Sequence, residues 1–208
     1  AAVKLVEAEQ AVRQNNFEVR KPEVAAAQVL VLLRQGKLEA AANLAGKYAL
    51  PLSQARVFFA QGKTSEALTL LEPLRQQMEA RGWQDELLMV MVLQSVVLNA
   101  HGEKDKAVQL LGEALKLAEP GGSIRVFIDE GEGMAQLLLE EASLGVMPNY
   151  IGKLLLAFEA EKQKSEDKPN LSHALPEGHR NGEPLIESLS QRELEVLKLL
   201  RSDLSGPE

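Results

Sequence analysis

Gly62-Lys63-Thr64 has the residues that end a phosphate-binding loop, in which glycine amides and a lysine hold the phosphates of a nucleotide. That loop also needs a glycine five residues before Gly62, and position 57 is Val. The same three residues fall in a turn of the repeat described below. We therefore interpret them as a turn and predict no nucleotide site there.

Metal-binding and acid–base chemistry are also poorly supported. The sequence has no cysteine, and its three histidines, His101, His173 and His179, do not have the spacing of converging metal ligands. The adjacent carboxylates Asp129-Glu130 and Glu140-Glu141 could form an acid–base pair, but no nucleophile accompanies them. On an acidic helical protein such pairs are usually solvated. We predict no metal site, no catalytic residue and no enzymatic activity.

The composition favours a helical protein of the cytoplasm. Of 208 residues, 45% are hydrophobic but only 4% are aromatic, so Ala and Leu supply most of the core. The formal net charge of −7 argues against a nucleic-acid-binding face. The lack of cysteine fits a reducing compartment, and no apolar run approaches the ~20 residues of a membrane span. The first residues show no signal peptide, and we interpret them as the interior of a longer protein.

A short pattern occurs three times and predicts the elements that position any site. In each copy a glycine between two apolar helical stretches is followed five residues later by an alanine. The copies begin at Gly36, Gly62 and Gly102, and their alanines are Ala41, Ala67 and Ala107. Glycine can adopt the left-handed conformation that ends a helix, and alanine allows two helices to approach closely. Because one helix pair cannot bury its apolar face alone, we expect the pairs to stack.

The pattern resembles the tetratricopeptide repeat. Ala107, Leu111 and Ala114 match the small-large-small pattern of its second helix, and Pro120 follows where that family has a terminating proline. The resemblance implies an all-α array of antiparallel helix pairs, which we place at residues 1–162.

The spacing between the repeat glycines is unequal. Gly36 and Gly62 are 26 residues apart, whereas Gly62 and Gly102 are 40 apart. The shorter distance leaves almost no connection between the first two pairs. Either a loop has been deleted or residues are absent between about Lys47 and Ser53, and we favour absent residues.

Ligand contacts are expected on the first helices. Three glutamines each lie eight residues before a repeat glycine: Gln28, Gln54 and Gln94. Such residues either form hydrogen bonds within the stack or form a polar ladder that touches a ligand. Arg56 and Asn99 fall at first-helix positions that face the concave side of tetratricopeptide repeats. We therefore select Arg56, Gln94 and Asn99 as candidate ligand contacts. We expect Trp83 to cap a hydrophobic turn, although an exposed Trp83 would instead suggest a binding surface.

The last part of the sequence has a different character. Residues 163–188 are rich in Pro, Gly, Asn, His and charge, so we predict a flexible linker. Ser190 and Glu193 then form a capping box, and a helical apolar stripe follows it. The start of a second helix is predicted after Asp203.

Two segments are similar to parts of known bacterial regulators. The opening helix of the LuxR-type helix-turn-helix domain is similar to Leu189-Ser190-Gln191-Arg192-Glu193-Leu194-Glu195-Val196-Leu197. A segment that follows the last repeats of large MalT-like activators is similar to Arg125-Val126-Phe127-Ile128-Asp129-Glu130-Gly131. These resemblances imply a bacterial transcription activator with an upstream ATPase module. They also place the start of its DNA-binding domain at residues 189–208.

The resemblance therefore implies a signal-receiving domain that binds a small inducer or a regulatory protein, in a chain that could form homo-oligomers. The alternative is a protein-interaction scaffold without a small-molecule ligand. An enclosed pocket with a few converging polar groups would favour a receptor, and a shallow open groove would favour a scaffold. ATP is implied only for the upstream module. Because the recognition helix has no counterpart in the sequence, we expect no sequence-specific promoter binding by this chain itself.

Overall fold

The computed structural model describes residues 21–166, with side chains through residue 163, and this part of the chain contains helices and no strand. The predicted all-α fold is confirmed there. No helix among these residues has the length and hydropathy needed to cross a membrane. The helices are α1 (Lys21–Arg34), α2 (Leu38–Lys47), α3 (Pro51–Ala60), α4 (Thr64–Arg81), α5 (Gln84–His101), α6 (Lys104–Ala118), α7 (Arg125–Ile128), α8 (Glu132–Ser143) and α9 (Pro148–Glu166).

The first six helices form three pairs, and each pair turns at one of the repeat glycines. At the second turn Gly62 has a φ of 76°, a value that favours glycine because it has no Cβ. The Lys63 amide donates to the Phe58 carbonyl at 2.9 Å, and the Gly62 amide donates to the Phe59 carbonyl at 2.9 Å. These two bonds close the end of α3 and reverse the chain into α4.

The repeat alanines lie at the contacts between helices. Ala41, Ala67 and Ala107 are each 0% exposed, one in the second helix of each pair. A methyl group at these positions lets each second helix pack tightly against its neighbours. The largest core lies toward the end of the described region, where α5 and α6 pack against α8 and α9 around Phe127.

The connection between the first two pairs corrects the expectation of absent residues. The chain passes from α2 to α3 through Tyr48, Ala49 and Leu50 alone. The Leu50 amide donates to the Ala45 carbonyl at 3.0 Å, while Ala49 takes the left-handed position with a φ of 48°. Pro51 then begins α3 at a position where its missing N–H costs no helical bond. The short spacing therefore needs no missing residue, and the expected gap was wrong.

The last helix extends past the predicted end of the array. α9 continues to Glu166, so the first residues of the predicted linker 163–188 are helical. The rest of that linker lies outside the described residues. So do residues 1–20 and the predicted start of the helix-turn-helix domain at 189–208.

The burial of the repeat alanines can be tested at Ala107. We expect Ala107→Leu to lower the free energy of unfolding by about 1–3 kcal/mol, because the added methylenes have no space between the helices. Ala100→Leu is the matched control, since Ala100 is exposed on the preceding helix. Urea denaturation of both variants measures the difference. Equal stability of the two variants would contradict the packing described here.

Candidate functional site

A cavity of about 600 Å³ lies among the first helices of the three pairs, and we call it the first-helix cavity. It forms on one side of the array because α1 contacts α3 and α3 contacts α5. Apolar side chains make up most of its wall, and α7 contributes to it as well. Its lining includes Leu30 of α1, Leu52 of α3, Met78 of α4, Trp83 before α5, Met89 of α5 and Val126 of α7.

The short helix α7 is fixed in place by an aromatic contact. Phe127 is fully buried, and its ring packs edge-to-face on Tyr150 of α9 with centroids 6.3 Å apart. The Tyr150 hydroxyl donates a hydrogen bond of 2.5 Å to the carbonyl of Ser123, just before α7. Burial raises the pKa of Tyr150 to about 12, so this hydroxyl stays protonated and able to donate even at alkaline pH, where an ordinary tyrosine ionises.

Two ion pairs tie the end of α7 to the first helices across long stretches of sequence. Glu130 pairs with Arg56 of α3, 74 residues earlier, and the two side chains are only 6% and 13% exposed. Asp129 pairs with Arg34 of α1 at 2.7 Å and with Arg125 at 2.9 Å. These contacts hold the segment 125–130 as one wall of the cavity.

Arg56 is the predicted ligand contact that the structure places at the first-helix cavity. One of its terminal nitrogens is engaged by Glu130, and its Nε is buried without a hydrogen-bond partner among residues 21–163. An arginine has five N–H donors, so the guanidinium keeps donors that Glu130 does not use. Arg56 is therefore a structural partner of α7 that retains hydrogen-bonding capacity next to the cavity.

Gln94 lies in a different place. Its Nε2 donates to Glu72 Oε2 at 2.9 Å, which joins α5 to the second helix of the preceding pair. Hydrogen bonds from Gln94, and then from Arg75, hold the pKa of Glu72 below its ordinary value. Gln94 lines a separate cleft of about 440 Å³ between α4 and α6. Gln54 also reaches the preceding pair, donating to the Ala45 carbonyl at 3.3 Å, so both glutamines bond within the stack.

Asn99, the third candidate, lies near the end of α5 and is partly buried. Its carbonyl accepts the amide hydrogen bond of Gly102 at 3.0 Å, which closes the turn of the third pair. Of the three candidate ligand contacts, only Arg56 lines the first-helix cavity.

The expectation that the carboxylate pairs are solvated was wrong for one member of each pair. Glu130 is buried against Arg56. Glu141 is 2% exposed, and burial raises the pKa of its carboxyl. A side chain at Gly112 would meet this carboxyl, because its Cβ would lie 3.2 Å from Glu141 Oε1. The glycine thus leaves space for a carboxyl group between α6 and α8.

Several residues of the cavity wall could not be predicted from the sequence. Met89 and Val126 carry no motif of their own, because ordinary core residues have the same character. Trp83 is 45% exposed and lines the cavity. The segment 125–131 did carry a sequence signal, namely its similarity to a segment of large MalT-like activators.

Paired antiparallel helices with glycine turns and small buried alanines define a tetratricopeptide-like helical repeat domain. The family model described as the MalT-like TPR region matches residues 1–143. The chain therefore belongs to the MalT-like TPR family. No curated protein and no solved structure matches it.

The ion pair that holds α7 predicts an asymmetric response to mutation. Glu130→Gln should lower the free energy of unfolding by about 3 kcal/mol, because it leaves the buried Arg56 charge unpaired. Arg34→Gln, at a pair whose arginine is 53% exposed, should cost less than about 1 kcal/mol. Chemical denaturation of both variants measures the two losses. A loss at Glu130 no larger than that at Arg34 would contradict the buried pairing.

Proposed function

We propose that this chain is the signal-receiving domain of a bacterial LuxR-family transcriptional regulator, and that a small inducer binds in the first-helix cavity. The observation that carries the proposal is the cavity itself, in a chain of the MalT-like TPR family. Its volume falls within the ~300–1,000 Å³ of small-molecule sites, and its wall is apolar with few polar groups, as such sites require.

The position of α7 favours a small-molecule receptor over a protein-interaction scaffold. A scaffold needs an open groove along the first helices, where a partner segment can lie. Here Val126 and Asp129 form part of the wall, and Phe127 and Glu130 anchor the same segment in the protein. This arrangement leaves a partly enclosed cavity.

In this proposal the signal passes through α7. An inducer in the cavity contacts α7 directly, and α7 packs against α8 and α9. Ligand binding would stabilise the docked position of this segment and thereby order the helices that lead to residues 167–208. The DNA-binding domain would begin at residue 189, which follows α9 in the sequence.

Thermal denaturation in the presence of a metabolite collection tests this proposal. A ligand at 100 times its Kd should stabilise the fold by about 2.7 kcal/mol, which is a rise in Tm of roughly 5–10 °C for a domain of this size. Ala27→Phe places a large ring in the cavity and should abolish the rise. Ala100→Phe, at an exposed position of α5, should keep it.

An inducer that stabilises wild type and Ala27→Phe equally would contradict binding in the cavity. A collection that contains no stabilising compound would count against the receptor function.

A further inference from the structure

We infer that the ligand of the first-helix cavity is an uncharged, largely apolar molecule with a single hydrogen-bond acceptor, such as a ketone, ester or amide oxygen. This inference rests on the proposed function, because it names the class of molecule that the same cavity takes. Three features of the cavity wall support the inference: the apolar surface of the wall, the pairing of its charges, and the N–H donors of Arg56 that Glu130 does not use.

The apolar surface supplies the driving force. Trp83 is 45% exposed and Met89 is 36% exposed, and both line the cavity. The Arg81 guanidinium lies over the Trp83 ring, 4.7 Å from its centroid, and a ligand in the cavity would cover further apolar surface of both side chains. Each Å² of apolar surface that a ligand removes from water contributes about 25 cal/mol, so an apolar molecule is favoured over a strongly hydrated one.

Most of the charges at the wall are already paired. Arg56 pairs with Glu130, and Asp129 pairs with both Arg34 and Arg125. An anionic ligand that took Arg56 from Glu130 would leave a carboxylate that is 6% exposed without its partner. Glu86 also lines the cavity, but it is exposed, so a cation paired with it would gain little. An uncharged ligand leaves these ion pairs intact.

Arg56 supplies the polar contact. Glu130 engages one terminal nitrogen of its guanidinium, and its Nε has no hydrogen-bond partner among the described residues. A carbonyl oxygen can accept from the remaining donors without displacing Glu130. A ligand with one acceptor on an apolar body therefore matches the apolar wall and the terminal N–H groups of Arg56 that Glu130 does not use.

The experiment compares 2-acetylnaphthalene with 2-naphthoate, which share a ring system but differ in charge. Isothermal titration calorimetry gives the two dissociation constants at pH 7. Trp83 is the single tryptophan of the sequence, so its emission reports locally on occupancy of the cavity. We expect 2-acetylnaphthalene to bind at least ten-fold more tightly than 2-naphthoate and to change the Trp83 emission.

Three variants locate the binding. Ala27→Phe should abolish it, and Ala100→Phe should leave it unchanged, with circular dichroism showing that both are folded. Met89→Gln changes an exposed position and is expected to fold normally. It should weaken 2-acetylnaphthalene binding several-fold because it replaces apolar wall with an amide.

The outcomes separate this inference from the proposed function. Equal or tighter binding of 2-naphthoate, still abolished by Ala27→Phe, would overturn the ligand class while retaining a small-molecule site. Two outcomes would contradict both the ligand class and the cavity as a ligand site. One is that neither probe binds, and the other is that neither Ala27→Phe nor Met89→Gln affects the binding.

Discussion

The buried ion pair between Arg56 and Glu130 is the contact on which the rest of the site depends. It joins α3 to a segment 74 residues later in the chain, which otherwise shares few contacts with the early helices. A buried charge is tolerated only beside its partner, so the pair fixes where the end of α7 must lie. With α7 in that position, Val126 becomes a wall of the cavity instead of a surface residue.

Hydrophobic packing and charge have separate roles in holding this wall. Phe127 is fully buried against Tyr150, which attaches α7 to the later helices, whereas Asp129 and Glu130 attach it to the earlier ones. Because the attachment to α1 and α3 is made by long charged side chains, the apolar residues between them do not close into a core. A cavity with mostly apolar walls therefore lies between α7 and the first helices.

The sequence predicted the repeating part of the fold because that part follows local rules. A glycine that ends one helix and an alanine in the next were enough to locate three turns and three buried positions. The turn at Ala49 was missed because alanine rarely adopts a positive φ, and nothing local distinguishes it from a helical alanine. At the site, Arg56 was selected from its repeat position. Its partner Glu130 was assigned to a solvated face, since a contact between residues 74 positions apart leaves no trace in spacing or periodicity.

A double-mutant cycle between Arg56 and Glu130 tests this account most directly. Arg56→Met, Glu130→Gln and the combined variant are compared with wild type by urea denaturation, and the coupling energy is the departure from additivity. The account predicts a coupling of about 1–3 kcal/mol, with the double variant much less destabilised than the sum of the single variants. Additive losses, with a coupling below about 0.5 kcal/mol, would show that α7 is held in place without this pair.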